Sequence, residues 1–365
     1  MPTKINPNIL ALDPYIPGKP VEEIQARYGL EKVVKLASNE NPFPPPAPVQ
    51  EAIRAEMDHI NWYPDSDSHY LREDLARVNG ISKENIILGS GSVEIIRMIV
   101  RGFLQPGETV LTSRKTFIMF RIAAIEQGGR GALVEAEMGD DHVISLHHMK
   151  AALDDTTRII FIANPNNPTG TLLPRTALLE FIDFVSDDVL IVLDNAYHEY
   201  VDPSESYLDG IELAVTRKNI LVLRTFSKIY SLAGLRIGYG IGHAETIATL
   251  NRIKAPFNIT RIAQKAAMAA LKCEDFKNHS VEVNRTNRRL LLNRLKALDL
   301  KVVPSHTNFL LFYPGTDIQA LNEALLRQGI IVRPLAAFGI PDGMRVTVGT
   351  EEDIDDFMQA LEKAL

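Results

Sequence analysis

Short apolar runs alternate with longer amphipathic stretches in this chain, and this alternation constrains the fold most strongly. Five runs rich in β-branched and apolar residues occupy positions 86–88, 109–112, 158–163, 189–193 and 220–223. Stretches of helical length, such as 93–104 and 175–185, separate several of them. Continuously apolar strands separated by helices predict an α/β fold in which a mostly parallel sheet is covered on both faces. In such sheets, ligands bind beyond the carboxyl ends of the strands.

The 365 residues are too many for one small domain, and the pattern changes along the chain. Prolines crowd positions 42–48, so we predict an extended N-terminal arm over 1–45 that joins the smaller domain. Residues 46–255 form the predicted large domain. Residues 256–365 form a predicted α+β domain with strands at 302–303, 308–312, 330–332 and 345–348. Its last helix, over 351–365, begins with Thr350 and Asp353, which resemble a capping box.

Composition excludes several classes of function. The net charge of −7 argues against nucleic acid or an anionic membrane as the main partner. The single cysteine, Cys273, excludes an internal disulfide framework and a multi-cysteine metal site. The three histidines His142, His147 and His148 lack metal-ligand spacing, so we predict no metal. The apolar runs are too short to cross a bilayer, and the first residues lack a signal core, so we expect a cytoplasmic protein.

A glycine-rich turn follows the first predicted strand. Gly89, Ser90 and Gly91 lead into a helix, and free N–H groups at a helix start hold anions. A dinucleotide motif fails, because Glu94 stands at its last glycine position and no acidic residue ends the next strand. A P-loop fails too, because no Gly-Lys-Ser/Thr sequence follows. A phosphate-holding loop and a plain strand-to-helix turn both remain open for this segment.

Polar groups also follow the next strands of the predicted sheet. Residues 164–170 read Asn-Pro-Asn-Asn-Pro-Thr-Gly, which suits an ordinary turn but also offers amide side chains to a ligand. Asp194 follows the strand at 189–193, where a buried carboxylate is costly unless a cation meets it. Asp194 either caps the next segment or pairs with a protonated ring nitrogen.

Lys228 follows the strand at 220–223. Most lysines are solvated surface residues. This one is preceded by Thr225 and Ser227, and Arg236 comes eight residues later. Nearby cations and desolvation lower the pKa of a lysine, which a nucleophilic amine requires.

Taken together and in this order, these motifs resemble the fold-type I aminotransferases, which use pyridoxal 5′-phosphate. The resemblance extends over nearly the whole chain, including segments 14–20, 36–42, 63–65, 331–334 and 345–350. In detail it is similar to the enzymes that act on histidinol phosphate. It implies a large domain with a seven-stranded sheet, a smaller C-terminal domain, and reversible amino transfer between histidinol phosphate and 2-oxoglutarate, which yields glutamate, in histidine biosynthesis.

The resemblance also implies a role for each matching residue. Lys228 would bind the cofactor covalently and carry protons, Asp194 would pair with its ring nitrogen, and Asn167 and Tyr197 would bond its ring oxygen. Phe117 would stack on the ring. The phosphate would be held by Ser90, Gly91, Thr225, Ser227 and Arg236, and by Tyr63 from the other subunit of a homodimer with shared active sites. The substrate would be bound by Tyr15, Asn39, Arg333 and Arg345, whose guanidinium groups match an anion.

Two further functions of the same family stay open. The first is amino transfer from aromatic amino acids, and the second is decarboxylation of threonine phosphate. The positions at which this chain departs from the family's usual residues are Lys115, Phe120, Asn195 and Ser231. None of them removes a catalytic group, so we expect them to affect substrate fit. A third alternative is a regulatory domain that binds pyridoxal phosphate without catalysis. Such a protein normally needs an attached DNA-binding domain, and we expect the catalytic architecture to use up the 365 residues.

Overall fold

A computed structural model describes residues 4–14 and 18–365 of the chain. The strands are β1 (Val34–Lys35), β2 (Ile86–Gly89), β3 (Thr109–Ser113), β4 (Leu133–Ala136), β5 (Thr157–Ala163), β6 (Leu190–Asp194), β7 (Ile220–Thr225), β8 (Gly238–Gly242), β9 (Lys301–Val303), β10 (Phe309–Tyr313), β11 (Ile330–Ile331), β12 (Arg333–Pro334) and β13 (Met344–Thr347). The helices are α1 (Pro7–Leu10), α2 (Val21–Tyr28), α3 (Ala47–Glu56), α4 (His69–Asn79), α5 (Ser92–Phe103), α6 (Ile118–Gly128), α7 (Leu146–Ala151), α8 (Arg175–Phe184), α9 (Ile211–Thr216), α10 (Ala244–Asn251), α11 (Arg261–Ala270), α12 (Glu274–Ala297), α13 (Ile318–Arg327) and α14 (Glu351–Ala364).

Seven strands form the large sheet, in the order β2-β8-β7-β6-β5-β3-β4. All neighbours are parallel except β8, which runs antiparallel to β2 and β7. The predicted α/β class and the mostly parallel seven-stranded sheet are therefore confirmed. Strands β5, β6 and β7 are buried almost throughout, because helices cover both faces of the sheet. The ends of these three strands consequently meet at one edge.

Strand β8 was not expected from the sequence. It reads Gly-Tyr-Gly-Ile-Gly, and glycine is depleted in strands. At Gly238 a Cβ atom would lie 2.7 Å from the Ser92 backbone nitrogen and 3.0 Å from the Arg224 carbonyl oxygen. Glycine is thus required where the start of α5 packs against the strand. Strand β4, which forms one edge of the sheet next to β3, was also missed.

The smaller sheet has the order β12-β13-β10-β9 and is antiparallel. Helices α12 and α14 pack on it through a shared apolar core. Helix α14 begins with the expected capping box, since the Thr350 hydroxyl accepts from the Asp353 N–H and the Asp353 carboxylate accepts from the Thr350 N–H. The N-terminal segment joins this part of the molecule, because β1 pairs in parallel with β11.

Two helices connect the sheets. Residues of α11, such as Ala263, belong to the core of the large sheet, and α12 then continues for 24 residues to the small sheet. The domain limits at residues 45 and 255 stay a prediction. What matters for the site is that the carboxyl ends of β5, β6 and β7 face strands β12 and β13.

Candidate active site

A cavity of about 200 Å³ lies between the carboxyl ends of the large sheet and the small sheet. Most of the predicted site residues line it, and these are Asn39, Phe117, Asn167, Asp194, Tyr197, Thr225, Ser227, Lys228, Arg236, Arg333 and Arg345. They come from positions spread over more than 300 residues of the chain. The structure thus brings together side chains that the sequence linked through positions after strands and through the resemblance.

Asp194 ends β6 and is buried at the base of this cavity. Its carboxylate accepts a hydrogen bond from the Ala196 N–H at 3.1 Å. Burial raises the pKa of Asp194 to about 6, against the opposing effects of that hydrogen bond and of Lys228. A carboxylate in this position is stabilised by any cation that enters the cavity.

Lys228 lies in the loop after β7 and is partly exposed along the cavity wall. Its Nζ atom donates to the Ser38 carbonyl oxygen at 3.0 Å and lies 5.7 Å from the centre of the Tyr197 ring. Burial of the amine, followed by the charge of Arg345, lowers the pKa of Lys228 to about 7. The lowered pKa increases the fraction of this amine that is unprotonated, and hence nucleophilic, at neutral pH.

Asn167 and Tyr197 present hydrogen-bonding groups to the same cavity. The Asn167 Oδ1 atom accepts from Arg345 Nη1 at 2.5 Å, and the two amide hydrogens of Asn167 can be donated to a ligand. The Tyr197 hydroxyl accepts from Asn39 Nδ2 at 2.9 Å. Burial raises the pKa of Tyr197 to about 12, which keeps the hydroxyl protonated.

Two arginines form the opposite wall of the cavity. Arg333 and Arg345 are direct partners across the antiparallel pair β12–β13. The Arg345 guanidinium is buried and lies 5.1 Å from the Phe309 ring centre, and it also donates to the Ala37 carbonyl oxygen. Arg333 is half-buried, and Phe338 lies beside both guanidinium groups. This wall provides positive charge with fork geometry that suits a carboxylate or a phosphate.

The start of helix α5 borders the cavity next to Arg236. Gly91 precedes this helix with φ of 75°, and no side chain caps the helix start with a hydrogen bond. A Cβ atom at Gly91 would overlap the Arg236 guanidinium, so glycine allows the arginine to approach the free N–H groups. Arg236 also donates to the Ser227 hydroxyl at 3.4 Å. The start of this helix, the Arg236 guanidinium and the hydroxyls of Thr225 and Ser227 together suit a phosphate.

Arg236 also borders a second, outer cleft of about 1000 Å³, where two of the predicted residues lie. Tyr63 is 78% exposed there, and its ring stacks on Phe257 at 4.5 Å. Ser90 lies in the same cleft, and its N–H donates to the Glu94 carboxylate. Ser90 therefore has only its hydroxyl to offer a phosphate in this arrangement. Tyr15 lies outside the described residues.

Several cavity residues were assigned no role from the sequence. Phe338 follows a two-residue strand, and Ser38 contributes its backbone carbonyl to Lys228 rather than a side chain. Gly18, Ser92 and Val93 line the cavity as well. Gly18, Ser38, Ser92 and Val93 lie in or next to segments that carry the resemblance. Phe338 lies outside all of these segments, and no local pattern marks it.

Neither a metal-ligand cluster nor a membrane-spanning helix occurs in residues 4–14 and 18–365. Within these ranges no group of three or more histidine, cysteine or acidic side chains could hold a metal ion. Nor does any helix in the described part of the chain have the length and apolar character needed to cross a membrane.

Comparison with known proteins agrees with this geometry. The family model for aminotransferase class I and II matches residues 31–361. The chain is 41% identical to histidinol-phosphate aminotransferase of Moorella thermoacetica over 98% of this chain and 92% of that protein. It is 42% identical to histidinol-phosphate aminotransferase 2 of Ralstonia nicotianae, over 98% of this chain and 96% of the relative.

Solved structures give the same result. The crystal structure of histidinol-phosphate aminotransferase from Sinorhizobium meliloti, in complex with pyridoxal-5′-phosphate, superposes with a TM-score of 0.90. It is 29% identical to this chain, and the alignment covers 99% of this chain and 97% of that one. Aspartate aminotransferase from Thermus thermophilus, at 24% identity and a TM-score of 0.83, shares the fold. This chain is a member of the aminotransferase class I and II family.

Proposed function

We propose that the protein is a pyridoxal 5′-phosphate-dependent enzyme that transfers an amino group between L-histidinol phosphate and 2-oxoglutarate. The observation that carries the proposal is the placing of Lys228 and Asp194 in one cavity, opposite Arg333 and Arg345. Relatives that are 41–42% identical over nearly the whole chain have histidinol-phosphate aminotransferase as their name, which supports this substrate. Histidine biosynthesis in the cytoplasm follows from the same proposal.

The residues present fit the cofactor. Pyridoxal phosphate is an anion at one end and a protonatable pyridine at the other. The start of α5 with Gly91 and Arg236 suits the phosphate. The buried Asp194 carboxylate has a raised pKa of about 6 and would be stabilised by a protonated ring nitrogen. Lys228, with its lowered pKa, suits the aldehyde.

When bound, the cofactor supplies an electron sink for the carbon that loses and gains a proton. Asp194 would keep the ring nitrogen charged by pairing with it. Lys228 would hold the cofactor until substrate arrives. As a free amine it would then move a proton between the substrate Cα and the C4′ position of the cofactor. The amide hydrogens of Asn167 and the hydroxyl of Tyr197 would hold the ring oxygen, while Phe117 covers one face of the ring. Thr225 and Ser227 would complete the phosphate contacts.

The arginine wall would bind the anionic end of both substrates. Histidinol phosphate has a phosphate and no carboxylate, whereas glutamate has two carboxylates, so one wall must accept anions in different positions. Arg345 is held by Asn167 and Ala37, and Arg333 is the less buried of the two. We assign to Arg345 the anionic group that both substrates place in the same position. We assign to Arg333 the anionic group whose position differs between them. Tyr15 would add a hydroxyl from the N-terminal segment.

We also propose that two copies form the working unit. The outer cleft carries the exposed apolar side chains of Ile60, Trp62, Tyr63 and Phe257. Contiguous exposed apolar surface of this kind marks a protein interface. Tyr63 would reach across it to the phosphate site of the partner, which makes the two active sites shared.

Half-reactions read by the cofactor's absorption test the proposed substrate. Loaded enzyme is mixed with histidinol phosphate, phenylalanine or threonine phosphate at equal concentration. We expect the fastest conversion with histidinol phosphate. Faster conversion with phenylalanine would replace the proposal by an aromatic aminotransferase, and release of carbon dioxide from threonine phosphate would replace it by a decarboxylase.

Mixing two inactive variants tests the shared sites. Tyr63→Ala and Lys228→Ala each damage both sites of their own dimer. A mixed dimer contains one site with neither change, so activity should return on mixing. A fully active monomer in ultracentrifugation would contradict the shared arrangement.

A further inference from the structure

Asn39 lies between the two walls of the cavity and has an unusual backbone conformation. Its φ is 55°, in the left-handed region, and the residue is 1% exposed. Asparagine tolerates this region better than most residues, yet the conformation still has to be held by its surroundings. The contacts that hold it show what the side chain does.

Four hydrogen bonds fix Asn39. Its backbone N–H donates to the Thr347 hydroxyl at 2.9 Å, and its carbonyl accepts from Asn308 Nδ2 at 3.0 Å. Its Oδ1 atom accepts from the Thr347 hydroxyl at 3.3 Å, and its Nδ2 atom donates to the Tyr197 hydroxyl at 2.9 Å. These bonds leave one amide hydrogen for any other partner, so the residue acts mainly on protein groups.

The two hydroxyls in this chain of bonds each have a single hydrogen. The Thr347 hydroxyl already accepts from the Asn39 N–H, and its own hydrogen is directed to Oδ1. The amide is therefore oriented with Nδ2 toward Tyr197. Because the Tyr197 oxygen accepts from Nδ2, its hydrogen must be directed elsewhere, and Tyr197 lines the cavity.

We propose that Asn39 is a positioning residue that makes the Tyr197 hydroxyl a hydrogen-bond donor toward the cavity, and that Thr347 sets the orientation of the Asn39 amide. The inference rests on the proposed function, because the acceptor for that hydrogen is the ring oxygen of the cofactor. It gives Asn39 a task other than substrate binding. It also connects β13 of the small sheet to a group of the large sheet that contacts the cofactor.

The visible absorption of the enzyme loaded with pyridoxal phosphate, measured against pH, tests this assignment. Loss of a donor makes the ring oxygen more basic, so the proton that it shares with the neighbouring nitrogen is held more tightly. The titration midpoint then moves to higher pH. Tyr197→Phe removes the donor entirely and sets the upper limit of the shift.

Asn39→Gly removes the amide while allowing the left-handed backbone, and Thr347→Val removes the hydroxyl while keeping the shape. We expect each to raise the midpoint by on the order of half to one pH unit, as the loss of one neutral hydrogen bond implies. Thr347→Ser, which keeps the hydroxyl, should restore the wild-type midpoint. Asn39→Gly should add nothing once Tyr197→Phe is present, because the two act on one donor.

Thr246→Val is the matched control, since this buried threonine donates to the Lys218 carbonyl at a distance from the cavity. Its midpoint should equal that of the wild type. If the wild type gives the absorption band but neither Asn39→Gly nor Thr347→Val shifts its titration midpoint, this inference is overturned and the proposed function is not. An Asn39→Gly shift that persists in the Tyr197→Phe background has the same consequence. A wild-type chain that gives no absorption band overturns the proposed function and this inference with it.

Discussion

The two walls of the cavity are built in different ways. On the sheet side, Asp194 ends β6, and Asn167 and Lys228 come within four residues of the ends of β5 and β7, so each sits in a short motif next to a buried apolar run. On the other side, Arg333 and Arg345 face each other only because of the antiparallel register between β12 and β13. The residues proposed for the chemistry are thus positioned by strand ends, and those proposed for anion binding are positioned by strand pairing.

This difference teaches where a change in the chain should act. A strand end is held by the buried strand before it, which positions the side chain rigidly. A register partner is held by a second strand and by the loop between them. We therefore expect substitutions on the sheet wall to reduce turnover with every substrate, and substitutions on the arginine wall to act selectively.

Lys228→Ala should break the sheet wall most severely. Loss of the amine removes both the covalent anchor and the proton carrier, so turnover should fall by at least about 10²- to 10⁴-fold. Pyridoxal phosphate should still bind through the phosphate contacts, which equilibrium dialysis measures. Lys254→Ala is the matched control, because burial lowers the pKa of that lysine as well and its amine donates to the Ser66 carbonyl. Borohydride labelling of Lys254 instead of Lys228 would refute the assignment.

Asp194→Asn should reduce turnover by about ten- to hundredfold, since one charged hydrogen bond to the ring nitrogen is lost. The loss should be similar for every amino donor, because Asp194 does not contact the substrate in this proposal. Asp317→Asn makes the same change at the N-terminus of α13, where Asp317 accepts from the Ala320 N–H and asparagine caps equally well. Equal loss in both variants would indicate damage to the fold and not to the reaction.

Measuring kcat/KM for histidinol phosphate, glutamate and phenylalanine separates the roles of Arg333 and Arg345. Arg345→Ala should lower it for histidinol phosphate and glutamate alike, by about ten- to hundredfold. Arg333→Ala should lower it more for histidinol phosphate than for phenylalanine, which lacks a phosphate. If the ratio of kcat/KM for histidinol phosphate to kcat/KM for phenylalanine were the same in both variants, the two arginines would not discriminate between anions.

The smallest expected effect is that of Arg345 on the pKa of Lys228 across the cavity. Below about pH 7 the Lys228 amine is protonated and cannot attack, so the rate of covalent capture of pyridoxal phosphate by the ligand-free chain should rise with pH and level off above about 7. Arg345 contributes to the lowered pKa, so Arg345→Ala should move the midpoint to higher pH. Stopped-flow absorption measures the rate. A midpoint that moves to lower pH would contradict the proposed electrostatic contact.

The sequence singled out Asn167, Asp194 and Lys228 for a physical reason. Each of these residues lies within a few positions of a buried apolar run, and such runs are visible in the sequence. The arginine wall could be anticipated only by resemblance, since strand register is not written in local patterns. Asn39 illustrates the limit, because its partners Tyr197, Asn308 and Thr347 lie more than 150 residues away in the chain.

Backbone conformation explains other differences. Strand β8 was missed because its three glycines lower its strand propensity, although close packing requires them. Ser231, one of the departures from the family's usual residues, has φ of 57°, a region that favours glycine. Phe120, another departure, stacks on Phe161 inside the core at 4.6 Å and does not line the cavity.

The parallel pair β1–β11 has a consequence for synthesis of the protein. Val34 and its partner Ile330 lie roughly 300 residues apart, so at ribosomal rates of about 5–20 residues per second the first strand waits on the order of 15–60 s for the second. During that time Val34 and Leu36, both buried in the finished protein, have no native core to enter. The large sheet can assemble meanwhile from segments already made. We therefore expect the nascent chain to complete the candidate site last, when β11 is made and pairs with the N-terminal segment.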